Sequence, residues 1–317
     1  MKIFLILLLF IVSLVAKNIQ EPISSYIASG GVIDIVRKDT KLYVATKASS
    51  VDIFDLNSKK LLQSVKLDKI KDFMGDEIDS KVYSVDVLDD KILILSQGKS
   101  GFRRVHIYEN GALKLLIPTS KHLYIAEAKF LNKNTIVYAL LGNDIVSYDS
   151  EKLKENWTTQ ASQSKFSHFV LSEDKKEVVI ADESGDLKII DTHKGKILKN
   201  LSGENLDNVF KVDYKNGIIA TAGQDRRVVI YNLKHSRAYY KMANFLVYSV
   251  GLSASGNFVG YASDENNNVT VFNTKTKKSL GLFGGNKMTL SAILFLSESE
   301  FLVASDDKTI NRYKIGR

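Results

Sequence analysis

The sequence predicts an all-β fold, a seven-bladed β-propeller of four-stranded antiparallel blades. Three observations carry that expectation. A short phrase recurs: a polar turn residue, an apolar or alternating run, then an acidic or amide residue. It reads DIVSYD at Asp144 to Asp149, DLKIID at Asp186 to Asp191, RRVVIYN ending at Asn232 and NVTVFN at Asn268 to Asn273. The bulky residue before the closing polar one falls at Phe54, Tyr108, Tyr148, Ile190, Tyr231, Phe272 and Tyr313, with spacings of 54, 40, 42, 41, 41 and 41. That period of about 41 matches a four-stranded propeller blade. After the N-terminal segment, no stretch keeps a helical period for 12 residues, which disfavours an α-solenoid of the same period.

The chain opens MKIFLILLLFIVSLVAK. Lys2 precedes an apolar run from Ile3 to Ala16 broken only by Ser13. At 14 residues the run is shorter than the roughly 18 of a membrane span and suits a signal-peptide core. The expectation is a signal peptide over residues 1–16, cleaved near Ala16–Lys17, and export to the periplasm. Residues 17–317 then form a single propeller domain, monomeric and without a transmembrane anchor in the mature chain.

The first unit is long because of one insertion, Asp68 to Asp79 (DKIKDFMGDEID). The fourth unit reads out in full. Phe166 to Ser172 alternates as an inner strand should, EVVIAD is a buried β-branched strand, LKIID is the marker strand and ILKNL the outer one. Asp, Gly, Asn and Lys fill the turns between them. GLSAS, Gly251 to Ser255, ends in Ser where a nucleophile elbow needs Gly, so it reads as the turn between the first two strands of the sixth unit. The seventh unit stops after TINRYKI. The segment Glu21 to Ser29 precedes the first unit and belongs to no other. It is expected to supply the missing strand against Ile310 to Tyr313, closing the ring and hiding edges that would template aggregation.

TAGQDRRVVIYNL, Thr221 to Leu233, resembles the second half of a WD repeat, with Tyr231-Asn232 where that family places Trp-Asp. Phe54-Asp55, Tyr148-Asp149 and Ile190-Asp191 are similar substitutes. The Gly-His pair that opens many such repeats is absent. Taken whole, the export signal, degenerate repeats, Lys-rich composition and lack of Cys resemble the periplasmic WD-repeat-like accessory family of nitrate reductase systems, the NapL type. That resemblance implies a non-enzymatic partner of nitrate reductase components, supporting maturation, assembly or electron supply.

The residues themselves favour binding over catalysis. Cysteine is absent, which removes disulfides, thiol catalysis and a lipid anchor at a signal cleavage site. The five histidines, His106, His122, His168, His193 and His235, are nowhere paired at metal-ligand spacing. The acidic stretches DENNN and FMGDEIDS lack the alternating frame of a calcium loop and read as turn chemistry. No phosphate loop or dinucleotide fingerprint occurs. No cofactor and no metal site is therefore expected. Net charge is +8, but the lysines are scattered through turns, so nucleic acid is not an expected partner. The alternatives are a quinoprotein-like or lactonase-like propeller and an envelope assembly factor. A single Trp argues against the first, and the missing lipidation Cys against the last.

Arginine is scarce, 8 against 36 lysines, yet it is used in pairs: Arg103-Arg104 before VHIY and Arg226-Arg227 before VVIY. In the repeat register both pairs lie between the second and third strands of their blades, on the rim that also carries the connections between blades. They are the candidate partner-binding residues, since Arg presents a rigid fork of donors to carboxylates. The competing reading makes them structural glue between blades.

Overall fold

The structure, a computed structural model, describes residues 19–316. The expected signal peptide and its cleavage point lie outside the described residues. Seven antiparallel sheets follow one another along the chain, each beginning with an inner strand and ending with an outer one. Blade one is Val32–Lys38, Lys41–Thr46, Ser50–Asp55 and Leu61–Lys66; blade two is Val82–Leu88, Lys91–Gln97, Arg103–Glu109 and Ala112–Ile117. Blade three is Ile125–Asn132, Thr135–Leu140, Asp144–Asp149 and Lys154–Gln160. Blade four is Phe166–Leu171, Glu177–Asp182, Leu187–Asp191 and Ile197–Leu201, the strands read from sequence. Blade five is Val209–Lys215, Ile218–Gly223, Arg227–Asn232 and Arg237–Met242. Blade six is Val250–Leu252, Phe258–Ala262, Val269–Asn273 and Ser279–Phe283; blade seven has Leu290–Phe295, Glu300–Ser305 and Thr309–Lys314. Helix among the described residues is limited to two single 3-10 turns, Lys99–Gly101 and Thr119–Lys121.

The fourth strand of blade seven is Ser24–Ile27, paired antiparallel with Thr309–Lys314 in the register Ser24↔Arg312, Ser25↔Asn311, Tyr26↔Ile310 and Ile27↔Thr309. The ring is closed as the truncated seventh unit predicts. One further strand has no counterpart in the sequence reading: Ile19–Gln20 pairs in parallel with the outer strand of blade six, through Leu282 and Phe283.

Burial follows the position of each strand. Second strands are almost wholly buried, as in Lys41–Thr46, while outer strands such as Ile197–Leu201 are largely exposed. The core therefore lies between neighbouring blades rather than within one. Val137, Ala139 and Ile145 of blade three pack with Phe169, Val178 and Ile190 of blade four. At the seam, Phe301 meets Phe283 edge-on at 5.0 Å and stacks on Tyr313 at 5.2 Å, joining blades six and seven. Each such large apolar side chain contributes about 1.5–3 kcal/mol on burial.

The recurring phrase now has a physical explanation. Its bulky residue is a core residue: Phe54, Ile190, Tyr231, Phe272 and Tyr313 are all buried. Its closing polar residue turns the chain toward the outer strand. Asp55 accepts the N–H groups of Asn57 and Ser58, Asp149 those of Glu151 and Lys152, Asp191 those of His193 and Lys194, and Asn273 those of Lys275 and Thr276. These are Asx turns, which only Asp and Asn supply well. Those bonds hold the carboxyls of Asp55, Asp149 and Asp191 below the usual carboxylate range. Asp72 and Asp264 likewise cap their own turns, which explains the two acidic stretches.

Candidate functional site

Antiparallel blades place two kinds of loop at each end of the ring. The turns between second and third strands share one rim with the connections from each outer strand to the next inner strand. We call this the connection rim. Loops held on a rigid scaffold are where such folds carry function, and both arginine pairs lie here.

Arg103 and Arg104 open the third strand of blade two. Arg226 occupies the preceding turn of blade five in the left-handed region, with φ 66, and Arg227 opens the third strand. The two pairs stand three blades apart and are not brought together. Three of the four guanidinium groups bond within the fold. Arg104 donates from Nη2 to the Asp68 carbonyl and to the Ser80 hydroxyl, both at 3.0 Å. Asp68 and Ser80 bracket the insertion, so one side chain ties its base. Arg227 donates to the Glu204 carbonyl at 2.6 Å, holding the connection between blades four and five in the same manner. Asp225 assists by accepting the Leu206 N–H at 2.8 Å. Arg103 lies over the Tyr83 ring at 4.1 Å and donates to the Gly101 carbonyl, and Arg227 lies over the Tyr240 ring at 4.0 Å. Burial lowers the pKa of Arg103 and of Arg104 from the ordinary guanidinium value. Arg226 is exposed.

What these arginines hold is apolar and exposed. The insertion forms a two-stranded hairpin, Ile70–Lys71 with Glu77–Ile78. Its tip turns at Gly75, φ 92, and lifts Phe73 to 96% exposure with Met74 beside it. The blade four to five connection presents Leu206 at 66%. Tyr124, Phe245 and Met288 are exposed on three further connections. In the sequence the insertion reads as a spacing anomaly, and its FMGDEIDS stretch as turn chemistry. Adjacent Phe and Met at the turn of a hairpin rich in Asp, Glu and Lys were the signal.

The second feature is the central channel, which the inner strands line around a cavity of about 400 Å³. A chain of side-chain clasps runs round five blade junctions. Asp34 accepts the Val85 N–H at 3.1 Å, Asp86 that of Phe130 at 2.7 Å, and Glu127 that of Phe169 at 3.0 Å. His168 Nδ1 accepts the Val212 N–H at 3.4 Å and Asp213 that of Leu252 at 2.8 Å. At the next junction Gly251 takes over: a Cβ there would stand 2.2 Å from the Ile293 carbonyl oxygen, so closeness of backbones replaces the side chain.

The clasps concentrate charge. Lys129 lies 2.9 Å from Asp34 and 3.9 Å from Glu127, and His168 Nε2 lies 3.6 Å from Glu127. Burial pushes the Glu127 carboxyl up to about 7, against the opposing pull of Lys129 and Lys211. Burial raises Asp86 as well. Burial would lower Lys129, but Asp34, Glu127 and Asp86 outweigh it and hold its pKa above the ordinary value. Burial, with Lys211 and Lys129 adding to it, holds His168 well below 6.5. His168 is thus a neutral imidazole, with Nδ1 free to accept and the proton on Nε2 facing Glu127. The other histidines converge on no ligand set; among the described residues no group of three His, Cys, Asp or Glu side chains is placed to hold a metal. These channel residues do not stand out in the sequence. Each sits inside an inner strand, as in IAEAKFLN and VIDIVRK, where alternation alone reads them as solvent-facing.

No known protein family matches the chain, and no curated protein matches it in sequence.

Proposed function

We propose that this chain is a non-enzymatic interaction scaffold of the periplasm, an accessory factor supporting maturation, assembly or electron supply of a periplasmic nitrate reductase. It engages a protein partner through the connection rim. The observation that carries the reading is the Phe73–Met74 hairpin, an apolar tip held out in water while Arg104 fixes its base. Exposed apolar clusters bordered by charge are characteristic of protein-binding surfaces, and aromatic and Met side chains are enriched there. A propeller suits a scaffold because its closed ring keeps seven connections in fixed relation. The link to nitrate reductase rests on the resemblance of the whole chain to the accessory family.

The test is genetic and biochemical. A strain lacking the chain should lose part of its periplasmic nitrate reductase activity under nitrate-respiring conditions. The tagged protein should co-purify with a reductase component. Full activity in the deletion strain, with no reductase component recovered on the tagged protein, rejects the nitrate reductase role.

A further inference from the structure

At the end of the ring opposite the connection rim, the turns from third to outer strand are basic in three successive blades. In blades four, five and six they read THKGK, LKHSR and TKTKK, at Thr192 to Lys196, Leu233 to Arg237 and Thr274 to Lys278. His193, Lys234 and Lys275 are spaced by 41, and so are Lys196, Arg237 and Lys278. The residue before each of the latter is left-handed, with φ 68 at Gly195, 49 at Ser236 and 61 at Lys277, so the three turns share one backbone form. Lysines that look scattered along the chain therefore fall into two rows across three neighbouring blades, with Lys194 and Lys277 added to them. All of these side chains are exposed. None forms an ion pair among the described residues; the ion pairs of blades four and five use Lys176, Lys188 and Lys215 instead.

The turns keep their hydrogen bonds while their negative charge is dropped. Asp149 and Asp191 close the recurring phrase in blades three and four, but Asn232 and Asn273 close it in blades five and six. The amides accept the His235 N–H and the Lys275 and Thr276 N–H groups in the same way. Like charges are also brought together. Lys241 donates to the Lys277 carbonyl at 2.9 Å, and burial, with the Lys277 charge adding to it, lowers the Lys241 pKa from its ordinary value. The acids on neighbouring inner turns are already engaged. Glu173 accepts the Asn216 N–H at 3.1 Å, Asp174 pairs with Lys176 at 3.1 Å and Glu298 accepts the Ser255 hydroxyl at 2.7 Å. An uncompensated array of this kind attracts an anionic partner.

Hydrocarbon stands among the cations. Ile197 and Leu198, directly after Lys196, are 39% and 50% exposed. At the flanking seams an aromatic of the outer strand covers the next turn: Trp157 donates to the Thr192 carbonyl and Tyr239 to the Thr274 carbonyl. In blade four the matching position is Lys199, opposite Ile189 as Trp157 is opposite Ser147 and Tyr239 opposite Ile230. That seam stays open as a groove of about 660 Å³ whose lining includes Leu198, Lys199, Leu233 and Lys234.

We propose that this face docks on an anionic phospholipid surface, the basic rows of blades four to six meeting the headgroup phosphates and Ile197 and Leu198 the hydrocarbon next to them. Two features favour a lipid surface over an acidic protein. All three turns leave the ring at one end, so a flat surface reaches them together. Exposed hydrocarbon beside lysine stems suits an interface in which charge lies directly above oil. The connection rim, at the opposite end, then faces away from the membrane and stays open to a partner. The two readings stand on different surfaces, and each can fail alone.

Vesicle sedimentation of the mature chain tests it, comparing phosphatidylcholine vesicles with equimolar phosphatidylcholine and phosphatidylglycerol. The anionic vesicles should bind at least about tenfold more tightly, and the advantage should shrink with added salt. Lys196→Gln, Arg237→Gln and Lys278→Gln together remove one row and should weaken binding by about a hundredfold, since each cation at a membrane surface contributes several-fold. Lys99→Gln, Lys121→Gln and Lys287→Gln together change the net charge equally at exposed positions of the connection rim and should keep wild-type binding. Circular dichroism melts establish that each variant folds; should the row variant fail to fold, Lys194→Gln, Lys234→Gln and Lys275→Gln together decide. Poly-glutamate in solution stands for an acidic protein and should bind at least about tenfold more weakly than the anionic vesicles. Absence of binding to anionic vesicles overturns the proposal. So does equal binding to neutral vesicles, wild-type binding by the row variant, or an equal loss in the connection-rim variant. Poly-glutamate binding as tightly as the vesicles also overturns it and assigns the face to an acidic protein.

Discussion

Tyr26 lies opposite Ile310 in an antiparallel ladder that joins the two ends of the described chain. Its ring is buried against Phe54 at 5.7 Å, and its hydroxyl donates to the Leu56 carbonyl at 3.0 Å. It therefore links blade seven to blade one. Ser29 adds a second tie, donating from its N–H and its hydroxyl to the buried Asp52 carboxylate at 2.6 and 3.0 Å. Tyr26→Ala should cost about 3–5 kcal/mol, the usual range for a large core aromatic. Removing residues 17–28 should lower the melting temperature further, by exposing the edge of Thr309–Lys314. An unchanged melt in the deletion variant contradicts closure by this strand.

The channel makes stability depend on pH through Glu127. Its folded pKa of about 7 is above the usual 4.5, so the folded state takes up the proton more readily than the unfolded one. Its contribution is fully present below about pH 4.5 and is lost as pH rises through 7. His168 works in the opposite sense: its folded pKa is depressed, so its contribution is present above 6.5 and lost as pH falls. Between about pH 6.5 and 8 the Glu127 effect is unopposed by His168. The wild-type melting temperature should fall across that window, and Glu127→Gln should flatten the slope. The variant keeps Asp34 beside Lys129 and leaves His168, Lys211 and Asp86 in place. The difference at about pH 8 should be about 1–3 kcal/mol. Parallel melting curves against pH for the two proteins disprove this role.

The architecture was legible because it is written locally. Period, alternation and turn residues each act over a few positions, and a propeller only repeats them. Counting strands was enough to assign Ser24–Ile27 to blade seven. Ile19–Gln20 was not legible, since two residues carry no periodicity and their pairing depends on the edge that blade six happens to leave. The site was legible in part. The arginine pairs stood out by their scarcity, but nothing in the sequence says that Arg104 reaches Asp68 and Ser80. The channel was hidden for a geometric reason. Asp34, Glu127 and His168 stand on the inner strands of different blades, far apart in sequence, and only ring closure brings those strands into one lining. Each charge in isolation looks like the solvated side of a strand.

The arginines separate by role. Arg104→Ala removes two charge-assisted hydrogen bonds at the base of the insertion. It should leave the ring intact, costing about 1.5–3 kcal/mol, but should make residues 68–80 the first site of proteolytic nicking. Arg227→Ala should act likewise on residues 202–208. The Arg226 side chain is exposed and bonds to no connection, the Ala243 N–H being accepted by its backbone carbonyl, so Arg226→Glu should leave the melting temperature unchanged. If the rim meets an acidic partner, that reversal should weaken capture by about 0.2–1 kcal/mol, with the effect shrinking at high salt. Equal nicking of wild type and Arg104→Ala refutes the clamp. Unchanged capture by Arg226→Glu removes that arginine from the interface.

The hairpin tip gives the sharpest separation of fold from function. Phe73 is 96% exposed and Met74 73%, so neither contributes much buried area to the isolated chain. The turn beneath them does not depend on their side chains. Asp72 accepts the Met74 and Asp76 N–H groups, and the Asp72 N–H donates to the Asp76 carbonyl at 3.0 Å. Phe73→Ala with Met74→Ala should therefore leave the stability within about 0.5 kcal/mol of wild type, as for an exposed substitution. Binding should respond differently. An aromatic that fills a partner's cavity commonly carries about 2 kcal/mol or more of the affinity, about thirtyfold. Unlike the Arg226 effect, this loss should persist at high salt, because burial of hydrocarbon is not screened. If the chain has the proposed accessory role, the double variant should keep its thermal stability, lose co-purification with the partner by at least about tenfold, and reduce nitrate reductase activity in the complemented strain. Undiminished capture by a stable double variant rules the tip out as the anchor and moves the search to Leu206 and Phe245 on the same rim.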